Sequence, residues 1–250
     1  KAGQVRRFVI AHDPADLPDR HLAVDETMWD EEALAATTTG YRAELDEGAV
    51  GAVYNRLGAP ELSVITGIMV SSGETGWTHE IGDVTDIRVL ARGPVRAVVE
   101  VDKTLKGDRK YTKRYEFYPG YFIVRTTTDT GIGSLTRTWY GAACAFEDET
   151  GATARIDGKG EGEGIIGRSV TPNWFAAYTD QWAHSCVNLR EDIGGITYWD
   201  AGAWGGVRLN VGGSKIGEVA YVFHGGHQDA YFAERDFKLM RSAPTVAVEQ

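Results

Sequence analysis

Six histidines are the side chains of this sequence best suited to moving protons near neutral pH. His79 stands in Gly76-Trp77-Thr78-His79-Glu80, between an aromatic ring and a carboxylate. His184 stands in Gln181-Trp182-Ala183-His184-Ser185-Cys186, again beside a tryptophan, and His224 and His227 bracket Gly225-Gly226. A lyase acting on a uronic acid needs a base for the proton α to the carboxylate and an acid for the departing oxygen. It also needs cations or amides to stabilise the enolate-like intermediate. His184 with Tyr140 answers the first two needs, seconded by His79 and Glu80, and Arg137, Asn188 and Arg190 answer the third. A glycoside hydrolase would use two carboxylates at a set separation, for which Glu80, Asp83, Glu191 and Asp192 are available. The residue types alone do not choose between the two chemistries.

Aromatic rings are the other resource. Trp174, Trp182, Trp199 and Trp204 crowd one region, with Tyr178 and Tyr198 among them. Such rings stack on the C–H-rich faces of sugars, and they serve equally well as sandwich core. The expected substrate-binding set is Trp182, Trp199, Trp204, Asn188, Arg190 and His224. His224 and His227 form an HxxH pair whose third zinc ligand would be Asp229 or Glu234, a weak signal. Cys144 and Cys186 are the two cysteines, without metal-ligand spacing, and read either as buried thiols or as one disulfide. The glycine run at 158–164 lacks the Gly-x-x-x-x-Gly-Lys-Ser/Thr pattern and carries glutamates that would repel phosphate. It is read as a flexible loop. No metal or cofactor is expected, and Ser185 next to His184 is adjacency without a triad.

The scaffold holding these groups reads as strands. Over 95–105 the residues alternate, with Ala97, Val99, Val101, Lys103 and Leu105 on one face and Val98, Glu100, Asp102 and Thr104 on the other. Lys106-Gly107-Asp108 turns the chain into 111–118, and Pro119-Gly120 turns it again into 121–128, with the residue chemistry of a type II turn. Shorter strands are expected within 62–70 and at 87–90, 135–140, 152–156, 195–199, 206–211 and 218–224. The acidic 26–36 segment is expected to form a short helix, with Asp30, Glu31 and Glu32 in its first turn. A second helix is expected at 228–240. Short strands between glycine-rich turns imply an all-β fold, a large antiparallel β-sandwich with one or two short helices. Residues 1–250 are expected to form a single domain on which an irregular, acidic 1–45 segment packs.

Two segments resemble a known family. Arg92-Gly-Pro-Val-Arg-Ala-Val-Val-Glu-Val, followed by Tyr115-Glu-Phe-Tyr-Pro-Gly-Tyr-Phe-Ile-Val-Arg-Thr, resembles a strand trio of the galactose-mutarotase-like supersandwich. The closing segment, 230–239 followed by Pro244 and an expected strand at 245–248, is similar to the ending of some exo-acting lyase-like families. The fold recurs in polysaccharide lyases and in the β-domains of glycoside hydrolases. The resemblance therefore implies a carbohydrate-active protein. It carries over no catalytic residue, because its motifs are strand and turn chemistry.

The charge balance narrows the partners. With 26 basic and 36 acidic residues the chain carries a net charge of −10, which disfavours nucleic acid and anionic membranes. Carbohydrate is the expected partner, and assembly of copies through edge strands is open. The residues 1–7 lack the apolar stretch of a signal peptide, and a secreted or periplasmic location is expected for a sugar-directed protein. Three readings follow: a polysaccharide lyase or glycoside hydrolase, a non-catalytic carbohydrate-binding or accessory module, and a structural β-domain.

Overall fold

A computed structural model describes residues 27–242 except 39, 47–48, 56–60, 63–68, 72–76, 80–81, 106–107, 130, 141–143, 152, 157–165, 168–172, 191–194, 201–204 and 211–213. The strands run β1 (Met28–Asp30), β2 (Ala35–Thr37), β3 (Tyr41–Asp46), β4 (Ala49–Asn55), β5 (Glu61–Leu62), β6 (Met69–Ser71) and β7 (Trp77–His79). Next come β8 (Gly82–Arg92), β9 (Ala97–Leu105), β10 (Arg109–Tyr118), β11 (Tyr121–Thr128), β12 (Ile132–Tyr140), β13 (Cys144–Asp148) and β14 (Thr153–Ile156). The last are β15 (Ile166–Gly167), β16 (Trp174–Tyr178), β17 (Trp182–Asn188), β18 (Gly195–Asp200), β19 (Gly205–Asn210) and β20 (Ile216–Gly225), ahead of helix α1 (Tyr231–Arg241). They form a five-stranded sheet, β1 to β5 in order, and a nine-stranded sheet ordered β14-β13-β16-β17-β20-β11-β10-β9-β8. A six-stranded sheet is ordered β15-β18-β19-β12-β6-β7. The expected all-β sandwich is what the chain builds. No described helix is long and apolar enough to cross a membrane.

The β9–β10–β11 meander follows its sequence closely. Tyr118 pairs with Tyr121 across Pro119-Gly120, where Gly120 takes φ +80°, a backbone region that costs glycine nothing. Along β10, Tyr111, Lys113, Tyr115 and Phe117 point inward and alternate with half-exposed residues. Antiparallel register then sets inward residues side by side: Ala97, Phe117, Phe122 and Tyr221 form one fully buried row across four strands. Phe122 stacks on Tyr221 at 5.0 Å and packs at 5.8 Å from both Phe117 and Phe223. Full burial of one such ring stabilises by about 1.5–3 kcal/mol. Farther along the same face Lys103 and Lys113 are buried, and the Lys113 ammonium lies 5.6 Å and 6.0 Å from the Tyr111 and Tyr115 ring centres.

The opposite face of the nine-stranded sheet is covered by α1, which starts three residues later than expected. Phe232 and Ala233 bury against Trp174, Ala176, Ala183, Val187 and Ala220. Strands β16 and β17 are therefore buried on both faces, and they show no alternation from which to read them. The sequence reading placed no strand at β13, β16 or β17.

The helix expected at 26–36 is a correction. Residues 28–37 form a hairpin, with β1 paired to β2. The Asp30 carboxylate accepts the amide hydrogens of Glu32 and Ala33, both at 3.0 Å, so it closes a turn where a helix start was expected. Ala35 and Ala36 are fully buried and Trp29 stacks on Phe117 at 6.1 Å. Core contact thus overrides the weak helical preference. Cys144 and Cys186 are both buried and are not joined as a disulfide, and burial pushes the Cys186 thiol far up. The 158–164 glycine run and the 245–248 strand lie outside the described residues.

Candidate functional site

Strand β17 sorts its side chains by parity. Trp182, His184 and Cys186 turn to the main core, while Ala183 and Val187 turn to α1 with Ser185 between them. The β17–β20 register pairs Ala183 with His224 and Ser185 with Val222. Asp236, on the buried stripe of α1, reaches down to both strands. Its Oδ2 accepts the Ser185 hydroxyl at 2.6 Å and meets His224 Nε2 at 2.7 Å. Phe232, one turn earlier, lies 5.0 Å from the His224 ring and 4.6 Å from the His227 ring. The two imidazoles stand 5.7 Å apart at 88°.

The order of this chain of contacts decides its chemistry. A serine nucleophile needs its hydroxyl on an imidazole that a carboxylate orients. Here the carboxylate sits in the middle and the serine donates to it. The arrangement is a polar clasp that fixes α1 to the sheet and satisfies the buried Ser185 and Asp236 together with the half-buried His224. Burial and the neighbouring His224 depress the His227 imidazole pKa, which keeps it neutral at pH 7.

The other expected site residues separate. His184 is fully buried and lies parallel to Trp182 at 6.4 Å, with Phe175, Tyr221 and Phe223 around it at 6.1–6.2 Å. Burial lowers its pKa to about 3, and nothing in solvent reaches the ring. Trp182 is 2% exposed and Asn188 is fully buried. The Asn188 amide donates to the Arg190 carbonyl at 2.6 Å and its Oδ1 accepts the Arg190 amide hydrogen at 3.0 Å, closing the turn after β17. His79, Arg137, Tyr140 and Trp199 belong to the six-stranded sheet, on β7, β12, β12 and β18. There His79 pairs with Met69, Arg137 with Arg208, Tyr140 with Gly205, and Trp199 with Gly206. Asp83 is exposed on the edge strand β8. Glu80, Glu191, Asp192 and Trp204 lie outside the described residues. Among the described residues no three His, Cys, Asp or Glu side chains gather as a metal site.

Sequence reasoning missed Asp236, although its signal was present: a carboxylate on the same helical stripe as Phe232 and Leu239. It also missed the rim beyond His227. There a cavity of about 480 Å³ is lined by Tyr178, Thr179, Asp180, Arg155, His227 and Gln228, among others. A neighbouring depression of about 320 Å³ carries Glu147, Asp148, Glu149, Asp229 and Glu234. The Tyr178 hydroxyl donates to Glu147 at 3.3 Å, and burial together with Glu147 raises the phenol's pKa.

Neither a protein-family model nor a curated protein matches the sequence. Solved structures do. The alpha-N-acetylgalactosaminidase NagBb from Bifidobacterium bifidum superposes as its quadruple mutant with TM-score 0.59 at 13% identity, over 82% of this chain and 38% of that one. Its ligand-free form gives TM-score 0.57 at 12% identity over the same shares. At this identity the likeness is one of fold alone. The chain spans well under half the length of that enzyme. A putative mutarotase (YeaD) from Salmonella typhimurium superposes more loosely, with TM-score 0.45 at 8% identity over 75% of this chain and 87% of that one.

Proposed function

We propose that this chain is a β-sandwich domain of a carbohydrate-active protein, and that it serves as a supporting module without turning over substrate itself. The observation carrying this reading is the use made of its proton-transfer groups. His184 is packing material in the core, and Asp236, with Ser185 and His224, is spent on holding α1. Support also comes from the fold shared with part of an alpha-N-acetylgalactosaminidase.

A second reading has one observation in its favour. His79, Arg137 and Tyr140 share the six-stranded sheet, from which a lyase-like acid and base would be drawn, although the spacing of three along β12 sets Arg137 and Tyr140 on opposite faces. One experiment separates the two. The chain is incubated with aryl N-acetylgalactosaminides and with neutral and uronic-acid polysaccharides, following reducing ends and ultraviolet absorbance. Signals at the level of the protein-free blank support the module. New absorbance or reducing ends that vanish in Tyr140→Phe would overturn it in favour of a catalyst.

A further inference from the structure

We propose that the groove between the β16–β17 turn and the loop after β20 is a binding site for neutral oligosaccharide. This deepens the supporting-module reading and rests on it. The groove is prebuilt by backbone contacts. The Thr179 hydroxyl oxygen accepts the amide hydrogens of Gln181 and Trp182, both at 3.1 Å. The Thr179 carbonyl accepts the His227 amide hydrogen at 2.8 Å. At Gly226 an added Cβ would fall 1.9 Å from the Asp180 carbonyl oxygen, so only glycine lets the two loops meet this closely. The turn carrying Asp180 and the loop carrying His227 and Gln228 are thus locked together, which spares a ligand the cost of ordering them.

The lining suits a polyol. Its volume of about 480 Å³ lies within the range of small-ligand sites, about 300–1,000 Å³. Arg155 only donates hydrogen bonds, Asp180 as a carboxylate only accepts them, and Gln228 does both. A sugar hydroxyl also does both. Tyr178 adds a half-buried aromatic ring, packed edge-on against Phe232 at 6.4 Å, with a polar tip. His227, neutral at pH 7, supplies one donor and one acceptor. Arg155 and Asp180 cancel in charge, and the carboxylates of the adjoining depression, Glu147 and Asp229 among them, repel acidic sugars. A neutral saccharide is the class that remains.

The test is calorimetric titration of the chain with maltoheptaose, cellohexaose and chitohexaose, and with polygalacturonate as the acidic probe. Saturable binding of at least one neutral oligosaccharide is expected, weakened tenfold or more in Tyr178→Ala and in Asp180→Ala, with polygalacturonate silent. Asp180 is exposed, so its variant keeps the test open should Tyr178→Ala unfold. The proposal is overturned if no neutral probe binds, if Asp180→Ala binds as the parent does, or if polygalacturonate binds equally well. The supporting-module reading is judged separately, because turnover sensitive to Tyr140→Phe sinks it whatever the titration gives.

Discussion

The β9–β11 meander and the β16–β17–β20 layer under α1 belong to one sheet, yet they are built by different rules. The meander buries one face and leaves the other half exposed, and β10 alternates residue by residue. In the layer beneath the helix all seven residues of β17 are buried, and a serine, a histidine and an aspartate join the apolar side chains there. One-sided burial rests mainly on apolar contact, with Lys103 and Lys113 buried on the same face and Lys113 held against tyrosine rings. Two-sided burial traps polar groups, which must then satisfy one another. The meander's stability should therefore answer to ring size, and the helix-covered layer's to hydrogen bonding and pH.

The largest effect is expected in the meander. Phe122→Ala should cost about 3–5 kcal/mol, the usual range for emptying a buried aromatic site, read from the urea midpoint. A much smaller loss would mean that the Phe117, Tyr221 and Phe223 rings close the hole, and that the row is loosely packed.

Next comes acid. His184 folds with its pKa lowered to about 3 from an ordinary 6.5, so the unfolded chain binds a proton that the folded chain refuses. Its contribution is full above pH 6.5 and is lost as pH falls from there toward 3, at up to about 1.4 kcal/mol per pH unit. Denaturation midpoints between pH 7 and 4 should show this slope, and His184→Phe should flatten it. An unchanged slope in that variant would assign the acid sensitivity elsewhere.

Asp236→Ala should cost about 2 kcal/mol, since a hydrogen bond to a charged group is worth about 1.5–3 kcal/mol and its loss orphans Ser185 and His224. Pairing it with Ser185→Ala in a double-mutant cycle should give a combined loss smaller than the sum. Strict additivity would show that the clasp is not a unit. The smallest effect is expected at the turn that replaced a helix: Asp30→Ala should cost about 1 kcal/mol, as for other side-chain caps of backbone amides.

Legibility followed the same divide. The strand at Tyr121–Thr128 carries the boundaries expected of it, and the alternation over β9 puts Ala97, Val99 and Val101 in the core as read. The short acidic segment before β2 misled, because Asp30 closes a turn as readily as it starts a helix. The candidate site was the least legible part. His224 was singled out for its place at a strand end, but its partner Asp236 lies on another element. His184 looked reactive beside Trp182 for the very reason that it is buried beside it.

The sequence by itself determined the meander, its turn at Pro119-Gly120, the C-terminal helix and the all-β class. These depend on periodicity and backbone preference within a few residues of one another. Only the tertiary structure decided that α1 lies over β17 and β20, that one carboxylate bridges a serine and a histidine, and that the β16–β17 turn meets the loop after β20. Those contacts join residues from 12 to about fifty positions apart, and their energies depend on distance and burial, which no local pattern encodes.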